Sequence, residues 1–180
     1  MEAGGFYDAG LLKQVAVNLF YGWGYNFYRL ENQLRADDQL VRARSATLIG
    51  QAHASVEAAE LAWRRDRLPA PTRAKPFPDP EAVQGAQALE RLAREIGALA
   101  GRLHALPVPE NDRMTQRYRN EVQTLTALGA CDEQLVGQAE TLRLGLGGRD
   151  GDWILQNAAA VQAGVAAIQE TIRQRGTILG

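Results

Sequence analysis

Cysteine is nearly missing from this 180-residue chain, and the single thiol, Cys131, excludes an internal disulfide framework or a multi-cysteine zinc site. Histidine is almost as scarce, with only His53 and His104, so few soft ligands remain for a transition metal. No excess of one charge exists: 20 basic against 21 acidic side chains leave a net charge of −1. That is too weak a global field to hold a polyanion, which disfavours sequence-independent nucleic-acid binding. Long hydrophobic runs are lacking too. The most apolar stretch, Leu11 to Leu30, is interrupted by Lys13, Gln14, Asn18, Asn26 and Arg29, too polar for a spanning helix. The first five residues carry no basic leader region, and the expected address is the cytoplasm.

Helix formers fill the space, with 29 alanines and 14 glutamines. From Leu12 to Trp63 an apolar stripe advances in fourteen steps over 51 residues, the helical period. One straight rod over 9–67 would reach about 90 Å at 1.5 Å per residue. A break is therefore expected, either at Gly22 and Gly24 or at Asp37-Asp38, with Asp8 as the opening N-cap. Five of the seven prolines then fall between Leu68 and Pro80, an extended segment over one bundle end or a domain linker; Phe77 points to docking on the body.

Asp79 and Pro80 open the next helix, whose Leu89, Leu92, Ile96, Leu99, Leu103 and Leu106 form a heptad seam. Pro107 and Pro109 end it. A third helix starts near Asn111 or Asp112 and stops at Gly147-Gly148; a fourth, capped by Asp150 or Asp152, closes at Gly176. The expectation is an all-α, antiparallel bundle of four long helical elements, five if the first is broken near residues 22–38. It has a Pro-rich crossover at 68–80, within one domain spanning 1–180.

Six of twelve aromatics crowd one stretch: Phe20, Tyr21, Trp23, Tyr25, Phe27 and Tyr28. On a continuous helix Trp23, Phe27 and Leu30 share one face, and Tyr21, Tyr25 and Tyr28 a second. One neighbour cannot bury both, so the stretch is read as an interface, with ordinary bundle core as the rival. Few cations flank it, so insertion into a membrane surface is not expected.

Two sets of polar residues suggest chemistry. His53, Glu57 and Glu60 share a helix face, but a di-iron bundle needs more histidines, and a solvated face with a Glu60–Arg64 pair is the plain reading. Asp38 and Asp132 sit where their stripes predict hydrophobic residues. Register drift or a kink would return them to the surface; otherwise they form a buried contact fixing bundle register, facing each other, Arg42, Arg119 or a shared metal. Asp38, His53, Glu57, Glu121 and Asp132 are thus the candidate metal ligands. Arg113, Arg117 and Arg119 form a basic run read as solvated surface. No phosphate loop, nucleophile elbow or His-Glu-x-x-His motif occurs, and no cofactor is expected.

These features point to a non-catalytic interaction protein, a homo-oligomer or one that docks on a larger protein partner. The alternative is a bundle that binds a metal or small apolar ligand in its core, with redox chemistry.

Overall fold

The computed structural model describes residues 2–25, 34–106 and 122–179, and among them every regular element is helical. A 3-10 turn, Ala3–Phe6, precedes α1 (Ala9–Trp23), α2 (Leu34–Arg67), α3 (Pro80–His104), α4 (Val122–Leu146), α5 (Gly151–Gln156) and α6 (Ala158–Leu179). Phe27, Tyr28, Leu30, Pro107, Pro109, Arg113, Arg117, Arg119 and Glu121, with the third helix's start near Asn111 or Asp112, lie outside the described residues.

Helix ends follow local chemistry. The Asp8 carboxylate accepts from the amides of Gly10 and Leu11 at 3.0 and 3.1 Å, satisfying donors that the first turn leaves orphaned. At the other end Gly24 turns left-handed, φ 75°, and its N–H donates to the Phe20 carbonyl at 3.1 Å. Glycine adopts that conformation without a Cβ penalty. The first segment thus breaks at the glycines, while Asp37 and Asp38 lie inside α2. Asp79 caps α3 with Pro80 at its first position, and Asp150 caps α5.

The last element departs from expectation. Asn157 splits it into α5 and α6, its backbone and side-chain N–H groups both donating to the Trp153 carbonyl, at 3.0 and 2.9 Å. Asparagine competes for backbone partners in this way. Gly176 does not close the helix, which runs to Leu179; only Gly24 and Gly148 among the described glycines have the positive φ that suits a stop.

Four long helices form a ring in the order α2, α3, α6, α4. α3 runs antiparallel to α2, with Arg64 reaching Glu90 while His53 lies at Gly97. α6 runs antiparallel to α4, with Thr171 bonded to Gln138 and Arg175 to Asp132. α1 lies along the outside of α4, antiparallel to it: Lys13 stands 3.7 Å from Glu133 and Leu12 crosses Gly137. A Cβ at Gly137 would come 2.5 Å from the Leu12 carbonyl oxygen, so glycine permits this approach.

The α3 seam from Leu89 to Leu103 is buried in the common core. Each such leucine contributes roughly 1.5–3 kcal/mol by leaving water. Between α2 and α3 the proline-rich segment loops outward and Phe77 is 84% exposed, so it does not dock. The ends it joins are already neighbours, with Trp63 Nε1 donating to the Ala82 carbonyl at 2.9 Å. The chain therefore spans a short gap rather than a bundle end, and it links packed helices. No described helix is long and apolar enough to cross a membrane.

Candidate functional site

The α1 terminus separates the aromatic residues that a single helix would have aligned. Phe20 is buried in the core, and Trp23 packs half-buried against it, edge-on to Phe20 at 6.1 Å with Arg44 5.9 Å from its ring centre. Past the Gly24 turn, Tyr25 folds inward and stacks on Phe20 with ring centroids 4.2 Å apart. Tyr21 remains outside, 84% exposed. Tyr21 and Tyr25 therefore do not share a face of α1, because helical periodicity stops where the backbone turns left-handed at Gly24. What α1 does present is a different line: positions 11, 14, 18 and 21 advance by helical steps, and Leu11, Gln14, Asn18 and Tyr21 are all exposed.

Tyr25 leads to a buried charged cluster. Its hydroxyl donates to Asp132 Oδ2 at 2.9 Å. Arg175 of α6, fully buried, donates from Nε to Asp132 Oδ1 at 2.7 Å and from Nη1 to Asp38 Oδ1 at 2.6 Å. Arg42, one turn along α2 from Asp38, places Nη2 2.7 Å from Asp38 Oδ2 and donates from Nη1 to the Leu106 carbonyl at 3.0 Å. Asp38 and Asp132 therefore lie in the core rather than at the surface, because arginines and a tyrosine meet the carboxylates there. Desolvating each ion costs several kcal/mol, and close pairing with hydrogen bonds offsets that cost.

This geometry also bears on the alternative of a core metal. A guanidinium, not a metal ion, occupies the position between Asp38 and Asp132. His53 and Glu57 are elsewhere on α2, paired with each other at 3.3 Å, with His53 packed against Gly97. Among the described residues no group of three or more His, Cys, Asp or Glu side chains could hold a metal. The plain Glu60–Arg64 pair is present, and Arg64 extends to Glu90.

Arg175 is the residue the sequence argument missed. It continues the Ile168–Ile172 stripe at the next helical step, out of pattern in the same sense as the two aspartates. Assigning Gly176 as the helix end concealed it. Cys131, beside the cluster, is chemically quiet: burial first, and then the Asp132 charge, push its thiol up to about 12. Its Sγ lies 3.5 Å from the Thr171 carbonyl.

No family model, curated protein or solved structure matches the chain, so the functional reading rests on this geometry.

Proposed function

We propose that this protein is a non-catalytic helical bundle that acts by docking, with the outer face of α1 meeting a second copy of the chain or a larger protein partner. The observation that carries this reading is the exposure of Leu11 and Tyr21 along one line of a helix whose one charge is Lys13. Tyrosine, with an apolar body and a polar tip, suits a contact that is wet when free and dry when bound. The internal pairing of the buried charges and the raised Cys131 pKa support a non-catalytic role. The cytoplasm is the proposed compartment, given the polar breaks in the most apolar stretch.

Light scattering of the native particle, with identification of whatever co-purifies, tests this. The expected result is a mass above 19.7 kDa, from self-assembly or a stoichiometric protein partner, that falls to the monomer in Leu11→Glu and Tyr21→Glu. A wild-type monomer without a partner, or an assembly indifferent to both substitutions, would overturn it.

A further inference from the structure

We infer that the charged cluster holds one bound water molecule, ligated by Asp38 Oδ2, Arg42 Nε and Ser45 Oγ. These residues stand at i, i+4 and i+7 of α2, on one helix face. Their exposures are 1%, 7% and 0%, so solvent does not reach them freely. Each carries one buried polar atom without a hydrogen-bond partner, and the three are the atoms just named. Such groups in native interiors find protein or water partners.

Among the described residues, Asp38 and Arg42 are held by other partners. Arg175 engages the other oxygen of Asp38, and the Leu106 carbonyl engages Nη1 of Arg42, so neither side chain can swing away without breaking a hydrogen bond. Arg42 Nη2 approaches Asp38 Oδ2 at 2.7 Å, but as a charge contact lacking hydrogen-bond direction.

The donor and acceptor pattern selects the ligand. A carboxylate oxygen only accepts, a guanidinium Nε only donates, and a hydroxyl does either. The occupant must therefore donate to Asp38 and accept from Arg42. A bare cation cannot donate a hydrogen bond, ammonium cannot accept one, and an anion would be repelled by Asp38. Asp37 is also buried, with interactions of its own, and Asp132 is held by Arg175 and Tyr25, so the remaining acids nearby do not call for an added cation. A neutral molecule with two lone pairs and two protons fits, and a buried water typically makes about three such bonds.

A crystal structure of the full chain that resolves ordered water tests this, paired with water-to-protein cross-relaxation measured in solution at the Ser45 β protons. The expected result is a single peak within hydrogen-bond distance of at least two of the three atoms, a cross-peak from long-lived water, and loss of both in Ser45→Val. Should Ser45→Val not fold, the wild-type measurements decide alone. An ion at that position, or the three atoms paired with protein groups and no water signal, would overturn the inference.

Discussion

The two ends of the bundle hold their helices in register by opposite means. At one end Trp63 of α2 lies in sockets made by missing side chains: a Cβ at Gly85 of α3 or Gly151 of α5 would come within 2.5 or 2.7 Å of it. Ions surround this ring but stay exposed, with Arg67 4.7 Å over the ring and 2.7 Å from Asp152. At the other end the charges are inside, with Arg175 of α6 joining Asp38 of α2 to Asp132 of α4 and the stacked Tyr25 closing the group. Shape fixes the first end and charge geometry the second. A ring in a socket tolerates little added volume, whereas a buried ion set contributes modestly when intact and costs heavily when one member is lost.

That contrast can be broken at several points. The largest effect belongs to Arg175→Met, which leaves two buried carboxylates short of their shared cation; urea unfolding should show a loss of about 3–5 kcal/mol. A loss near zero would mean that the ionic end carries no constraint. Trp63→Ala comes next at about 3 kcal/mol, the low side of the range for large aromatics because the ring is half-buried. Gly85→Ala should cost about 1–3 kcal/mol by overpacking against that ring, and a neutral result would show that the socket has slack. Arg67→Gln, which removes an exposed ion pair at the same end, should cost under about 1 kcal/mol.

A further effect is one of pH. Cys131 has its thiol raised from 9.0 to about 12 in the folded chain. Below pH 9 both folded and unfolded states keep the proton, and the contribution of the thiol to stability is fully present. Between pH 9 and about 12 the unfolded state ionises first, so stability falls across that window. Cys131→Ala should make the alkaline slope of the unfolding free energy shallower.

The sequence made some of these features visible and hid others, for local reasons. Asp8, Asp79-Pro80 and Asp150 could be read as caps because a cap depends on its own few residues. The α3 seam could be read because its period continues for several turns inside one helix. Asp38 and Asp132 stood out as charges on apolar lines, but their partner was a third such charge on a helix extended past its apparent end. Tyr25 escaped because a helical wheel loses meaning beyond a left-handed residue, and Gly24 supplies that turn. Phe77 escaped because a proline-rich segment has no period from which to infer a buried face.

The most direct test of this account is a double-mutant cycle between Asp38 and Arg175, with Asp38→Asn, Arg175→Met and the pair measured by equilibrium unfolding. If one guanidinium binds α6 to α2 through buried charge, the separate losses should exceed the loss in the double variant by about 2–3 kcal/mol. Losses that simply add, to within about 0.5 kcal/mol, would contradict it.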